Sequence, residues 1–310
     1  MCKITIFYGQ YFVTLLLLMP VSQSTIIPDS ANFNLVARAL TVVENDLPGA
    51  DELLRSLNLG STAPVIGITG PPGAGKSTLV NALITELCTD SKKVAVLAID
   101  PTSAFNYGSL LGDRIRMAPH FNNPKVFIRS LATRGSLGGL SAKTIEMTDV
   151  LRAAGFDYVL IETVGVGQSE IEIAGLADIT LLVLVPESGD EIQNIKSGIM
   201  EIADAYIINK ADRDGADTYY NTLKKLIHQG HKPAPVYKAI ASQNQGVAEI
   251  AAFIREAPMQ INTRREYLLA EKAYQLIRHQ RMAGIDKKKL RQDIAEAMSK
   301  PGFNLYQFLG

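Results

Sequence analysis

The stretch Val65–Cys88, reading VIGITGPPGAGKSTLVNALITELC, decides how the rest of the chain is interpreted. Its first five residues are apolar or small at nearly every position, the mark of a strand covered on both faces. From Ser77 onward, Leu79, Val80, Leu83, Ile84 and Leu87 recur at helical intervals. Between strand and helix lies Gly70-Pro71-Pro72-Gly73-Ala74-Gly75-Lys76-Ser77, a G-x-x-x-x-G-K-S loop. Such a loop turns successive backbone N–H groups inward onto phosphate oxygens, at the positive end of the following helix. Lys76 is then expected to reach the β- and γ-phosphates and the Ser77 hydroxyl to ligate Mg²⁺, with Thr78 continuing the cradle. A chance glycine-rich turn does not explain a strand entering and a helix leaving. The stretch predicts a nucleotide site.

Outward from it the same alternation repeats. Apolar runs at Val94–Ile99, Val126–Ser130, Tyr158–Glu162, Ile179–Val185, Tyr206–Ile208 and Val236–Tyr237 are each followed by a turn and a helical stretch. This predicts an α/β fold, a P-loop NTPase with a mostly parallel, doubly wound sheet. Residues 31–58 predict two short helices broken at Leu47-Pro48-Gly49, and helices are expected at 246–257, 264–282 and 286–299. The domain plan is an apolar leader over 1–26, a helical extension over 27–60, the nucleotide-binding domain over 61–258, and a helical arm over 259–310.

Composition agrees with a folded chain. Of 310 residues, 47% are hydrophobic and 20% charged, which excludes disorder as the main state. Lys+Arg and Asp+Glu are each 31, so no bulk field draws the chain to nucleic acid or anionic lipid, and neither is an expected partner. Two cysteines, Cys2 and Cys88, exclude a disulfide framework, and four histidines leave little for a His- or Cys-rich metal site.

The base is read from Asn209-Lys210-Ala211-Asp212, directly after the run Tyr206–Ile208. A carboxylate at Asp212 can accept from guanine N1–H and N2–H₂, donors that adenine lacks at those positions. The Lys210 stem can lie along the base plane, and Asn209 can tie its loop back to the phosphate loop. An N-K-x-D string alone is weak; at a strand end downstream of a phosphate loop it is strong. Ala241-Ser242-Gln243 sits where a second base-contacting loop is expected. The expected ligand is GTP, or GDP after hydrolysis.

Between these motifs, Asp100 and Glu162 close two apolar runs. Carboxylates at the C-terminal ends of parallel strands face the ligand crevice, where they can hold Mg²⁺ or its waters. A helix-capping acid is the alternative for either one, and an exposed loop acid explains Asp113 nearly as well. Gly165 can bring its N–H to the γ-phosphate, making Thr163–Glu170 a candidate switch. Three further stretches, Pro101–Met117, Ala132–Leu140 and Pro186–Lys196, read singly as surface loops. Together they predict segments that report the nucleotide state to a partner.

With these residues in place, the chain resembles the MeaB/ArgK family, the methylmalonyl-CoA mutase-associated GTPases. The matching strings are GITGPPGAGKSTLVNAL, VAVLAIDPTS, GSLLGDRIRM, ATRGSLGGL, FDYVLIETVGVGQSE, VPESGDEIQNIK and NKAD, in order over residues ~31 to ~300. The resemblance implies a GTP-hydrolysing, metallochaperone-like accessory protein that gates cofactor loading of an adenosylcobalamin-dependent mutase and protects it. The adenosylcobalamin is then held by the partner mutase. It also implies that Asp100, Asp113 and Glu162 are Mg²⁺-proximal acids, and that Pro186–Lys196 is a third switch whose Lys196 acts in partner-stimulated hydrolysis. The helical extensions resemble dimerisation elements, so a homodimer is expected. Lys76 and Glu162 join Lys196 and Gln168, a candidate water-orienting group, as the expected catalytic set. The rival reading is an ArgK-type ATPase or kinase linked to lysine/arginine/ornithine transport; a third is the same role for a different acyl-CoA mutase. NKAD favours guanine over the ATP of an uptake system.

Residues 1–26 match nothing in the family pattern. Phe12–Val21 is apolar, follows Lys3 and precedes Ser22-Gln23-Ser24, the pattern of a signal peptide, and is too short to span a bilayer. Export would separate a GTP site from its ligand, so the expectation is a cytoplasmic protein with Met19 as initiator.

Overall fold

Seven strands form a single sheet among the described residues, and every pairing in it is parallel. The computed structural model describes residues 26–60, 63–89, 91–100, 117–132, 142–163, 169–189, 199–229, 234–257, 284–299 and 302–309, with short pieces between 266 and 282. In chain order these give α1 (Phe33–Glu44), α2 (Ala50–Ser56), β1 (Val65–Thr69), α3 (Lys76–Leu87), β2 (Val94–Asp100) and β3 (Val126–Ala132). There follow α4 (Ala142–Ala153), β4 (Tyr158–Glu162), α5 (Ser169–Leu176), β5 (Ile179–Leu184), α6 (Ile199–Ile202) and β6 (Ala205–Ile208). The chain continues through α7 (Ala216–Gln229), β7 (Val236–Lys238), α8 (Val247–Glu256), α9 (Lys287–Met298) and α10 (Leu305–Leu309).

The strand order is β3-β2-β4-β1-β5-β6-β7. The chain leaves β1 in one direction to β2, and later crosses back over it between β4 and β5. In an open parallel sheet this reversal leaves a crevice beyond the strand C-termini, where ligands bind. Here that edge gathers the ends of β1, β4, β5 and β6, and therefore Gly70–Ser77, Glu162, Pro186 and Asn209.

β1 lies in the middle because nothing on it needs water: all five residues are buried. Ile66 and Ile68 face the cluster holding Leu79 and Leu83 of α3 and Ile250 and Ile254 of α8. The alternate face carries Val65, packed with Val36 and Leu40 of α1, Met147 and Leu151 of α4 and Ile173 of α5. A third cluster sets Tyr219, Leu223 and Ile227 of α7 against Leu182 and Leu184 of β5 and Ile208 of β6.

Outside the sheet, α1 begins at Asn32, whose side chain accepts from the N–H groups of Asn34 and Leu35, a normal N-cap. Phe33 packs edge-on against Phe127 at 5.5 Å and stacks on Phe156 at 6.0 Å, fixing the helix to the edge strand β3. Ion pairs Glu44–Arg129 and Asp46–Lys143 fasten its other end to β3 and α4. The break at Leu47-Pro48-Gly49 lies between α1 and α2 as expected, with Gly49 at φ 92. No helix among the described residues is long and apolar enough to cross a membrane. Phe12–Val21 and Met19 lie outside the described residues.

One packing constraint is stringent. A Cβ at Gly67 would stand 2.6 Å from Ile173 Cγ1 and 3.0 Å from the Ala177 Cβ, so α5 lies directly on the β1 backbone. Gly67→Ala must push α5 outward. An overpacking loss of about 1–3 kcal/mol is expected, measured as a lowered urea midpoint at constant slope. An unchanged midpoint contradicts this packing.

Candidate nucleotide site

The phosphate loop runs from the end of β1 into α3 and is shaped by two glycines that admit no side chain. Gly70 has φ 140, and a Cβ on it would stand 2.0 Å from the Val183 carbonyl oxygen of β5. Gly75 has φ 86, and a Cβ there would meet Asn209 Nδ2 at 2.4 Å. Within the loop Ala74 is buried, while Pro72 and Gly73 are exposed. Thr78, at the start of α3, is exposed as well.

Lys76 is buried and folds back across the loop, donating from Nζ to the Gly70 carbonyl at 2.8 Å and the Pro71 carbonyl at 3.0 Å. The ammonium is thereby held at the loop mouth, where it can exchange these carbonyls for phosphate oxygens. Beside it, Ser77 Oγ donates to Glu162 Oε1 at 2.6 Å, both residues being buried. Glu162 is brought there by β4, whose pairing with β1 is extended by Thr163 N–H to the Ile68 carbonyl at 3.1 Å. Thr163 Oγ1 also bonds Thr69 Oγ1 at 3.1 Å. A hydroxyl and a carboxylate side by side are hard oxygen donors. They suit Mg²⁺, which takes few protein ligands and fills its shell with phosphates and water.

The second half of the site hangs from β6. Asn209 is 2% exposed and uses both ends of its carboxamide. Nδ2 donates to the Ala74 carbonyl at 2.9 Å, and Oδ1 accepts from the Ala241 N–H at 3.1 Å. One side chain thus joins the phosphate loop, the Asn209–Asp212 loop and the turn Ala241–Gln243. Lys210, with φ 56, stretches its stem to the phosphate loop and donates from Nζ to the Gly73 carbonyl at 2.7 Å. A ring plane could rest along that stem. Asp212 is exposed in the turn that precedes α7, and Ser242 and Gln243 are exposed on the neighbouring turn.

The sequence did not indicate a further pair, Arg213 Nη1 with Glu187 Oε1. The Arg213 hydrogen bond holds the Glu187 carboxyl below the usual carboxylate range, with the Lys210 charge adding to it. The visible signals were a cation directly after the base motif and an acid directly after β5. No spacing rule says that the two meet. Of the other expected site residues, Asp113, Gly165, Gln168 and Lys196 lie outside the described residues. Asp100 ends β2, and its side chain also lies outside them.

The model of the family described as methylmalonyl-CoA mutase-associated GTPase MeaB matches residues 36–298. The chain belongs to that family. A protein of Pyrococcus abyssi named as a GTPase is 50% identical over 229 residues, 71% of this chain and 70% of the relative. A Caenorhabditis elegans protein named methylmalonic aciduria type A homolog, mitochondrial, is 49% identical over 150 residues, 48% of this chain and 38% of its own length. A solved structure, that of a protein named LAO/AO transport system kinase, superposes with a TM-score of 0.61 at 26% identity, covering 87% of this chain and 89% of that one. As a member of the MeaB family, the chain is a P-loop GTPase that binds guanine nucleotides and hydrolyses GTP.

The Asn209 bridge makes a prediction that needs no nucleotide. Asn209→Ala leaves the buried Ala241 N–H without its acceptor and the Ala74 carbonyl without its donor. The nucleotide-free protein is expected to lose about 1–3 kcal/mol of unfolding free energy, read by chemical denaturation. A loss confined to nucleotide affinity, with stability unchanged, contradicts the bridge.

Proposed function

We propose that this GTPase is an accessory protein of an adenosylcobalamin-dependent acyl-CoA mutase, methylmalonyl-CoA mutase in the first instance, and that GTP turnover gates loading of the mutase's cofactor. The observation that carries the nucleotide half is the convergence of Lys76, Ser77 and Glu162 at one loop mouth, with Asn209 joining the base loop to it. The family description supports the mutase half. In this reading Gly70–Thr78 cradle the phosphates, Asp212 accepts from guanine, Lys210 lies along the base, and Ser242 and Gln243 close over its edge. Ser77 and Glu162, with Asp100 and Asp113, would hold Mg²⁺, which supplies charge neutralisation on the β- and γ-phosphate oxygens.

Hydrolysis is a transfer of the γ-phosphoryl group to water. The bond from water oxygen to γ-phosphorus forms, and the bond from γ-phosphorus to the β,γ-bridging oxygen breaks. The chain contributes position and charge rather than a covalent nucleophile. Lys76 moves from its two carbonyls to the phosphate oxygens. The loop N–H groups, preorganised by the left-handed glycines, neutralise charge that grows in the transition state. Gln168 would orient the water and Lys196 would add charge when the partner is bound. Completion of the site by the partner explains why the isolated protein is expected to turn over slowly.

The name of the structural neighbour favours a second reading, a kinase or ATPase serving transport of basic amino acids. Asp212 argues against ATP as its nucleotide. The exposed side chains of Tyr267, Leu269, Tyr274, Ile277 and Met282 support a homodimer through the C-terminal arm.

Affinity capture from native extract, with the chain loaded with a non-hydrolysable GTP analogue, is expected to recover a cobalamin-dependent mutase. Lys76→Ala is expected to lose GTP hydrolysis and the nucleotide-dependent part of the capture. Recovery of transport components without a mutase contradicts the proposal. So does turnover of the isolated protein at about ten per second, an ordinary enzyme rate.

A further inference from the structure

The inner side of the base loop is fastened by backbone. Asn209 N–H donates to the Leu184 carbonyl at 2.8 Å, and Ala211 N–H to the Ala239 carbonyl at 3.1 Å. With the Asn209 and Lys210 side chains on the phosphate loop, residues 209–211 are held on three sides. Asp212 lies past the last of these bonds. Arg213 N–H closes the turn on itself, onto the Lys210 carbonyl at 3.0 Å. The next firm anchorage is buried Ala216 at the start of α7. Across this gap the Arg213 guanidinium reaches out of the loop to Glu187, in the short 3-10 turn Pro186–Gly189 that follows β5.

We propose that the Glu187–Arg213 pair is a latch that holds Asp212 against the guanine base and sets how long the nucleotide stays bound. The proposal rests on the reading of Asn209–Asp212 as the base loop. Three features support it. Glu187 lies on a different strand end from the base motif, so the pair spans two loops and does not merely stiffen one. The charge of Lys210 also favours its carboxylate form, so two cations of the same loop act on it. Both partners are half exposed, at 47% and 50%, so the bond can be broken without unfolding anything. A molecule that engages the turn Pro186–Gly189 and draws Glu187 away would release the base loop without touching the nucleotide. Neither residue is a catalytic residue in this scheme; both are positioning residues.

The test is the release rate of a fluorescent GDP analogue from the full chain, chased with excess GDP. An exposed pair of this kind contributes modestly, so Glu187→Gln and Arg213→Gln are expected to release about two- to fivefold faster at low salt. The difference from the wild type shrinks in about 1 M salt, where an exposed pair is screened. Glu187→Arg, which sets three cations together, is expected to release faster than Glu187→Gln. Adding Arg213→Glu to Glu187→Arg slows release again, a rescue that a merely structural role would not give. Wild-type release by both glutamine variants at low salt overturns the latch, as does a double variant no slower than Glu187→Arg. Asp212→Asn is measured alongside. If it leaves guanine preference intact, the base-loop reading falls and the latch with it. If it shifts that preference while the Glu187 and Arg213 variants release like wild type, the latch alone falls.

Discussion

A single buried carboxamide, that of Asn209, is the tie on which the site depends. Its two ends are spent on the Ala74 carbonyl and the Ala241 N–H. A buried amide left half-satisfied would be costly, so the side chain is fixed in orientation as well as position. The loops it joins come from β1, β6 and the segment after β7, elements that share no direct turn. With the Lys210 bond to the Gly73 carbonyl, that tie sets the phosphate loop and the Asn209–Asp212 loop in one fixed relation. Gly75 is required by the same contact, because any Cβ there would occupy the space of Asn209 Nδ2.

The sheet supplies the frame for that tie. β1 is flanked by β4 and β5, and it carries the phosphate loop from the sheet's interior to its C-terminal edge. Glu162 arrives beside Ser77 because β4 runs in register with β1, Ile68 pairing with Glu162 itself. The acid reaches the hydroxyl through a ladder of backbone bonds, not through a flexible connection. The chain is neutral overall, yet the site concentrates charge. Lys76 and Lys210 both set their ammonium groups on carbonyls of the phosphate loop, so zero net charge says little about the local charge of the site.

Much of this was legible in the sequence, for identifiable reasons. Strands buried on both faces read as unbroken apolar runs, so Val65–Thr69 and Tyr158–Glu162 were located to the residue. β3 runs on to Ala132, past the expected end at Ser130, because its pairing with β2 continues whatever the polarity of Ser130. β6 starts one residue early for the same reason, Ala205 pairing with Leu181. The phosphate loop and Asn209–Asp212 were legible because their spacing is itself the mechanism. The contacts Glu187–Arg213, Thr69–Thr163 and Gly67–Ile173 were not, because each joins residues that only the strand order brings together. A glycine in a strand announces a close approach or a bulge but does not say which. The sequence likewise offered Glu162 as a cap or a metal-side acid, and the structure sets its carboxylate on the Ser77 hydroxyl.

The most direct measurement is the relative affinity of GDP, ADP and xanthosine diphosphate for the wild type and for Asp212→Asn. Guanine presents N1–H and N2–H₂ to the carboxylate, whereas xanthine presents a carbonyl in place of the amine, to which an amide can donate. The wild type is expected to prefer GDP strongly over both others, and Asp212→Asn to shift the preference toward xanthosine diphosphate. A wild type that binds ADP as tightly as GDP, or a variant that keeps its preference for GDP, would contradict the role of Asp212 as the guanine-reading group.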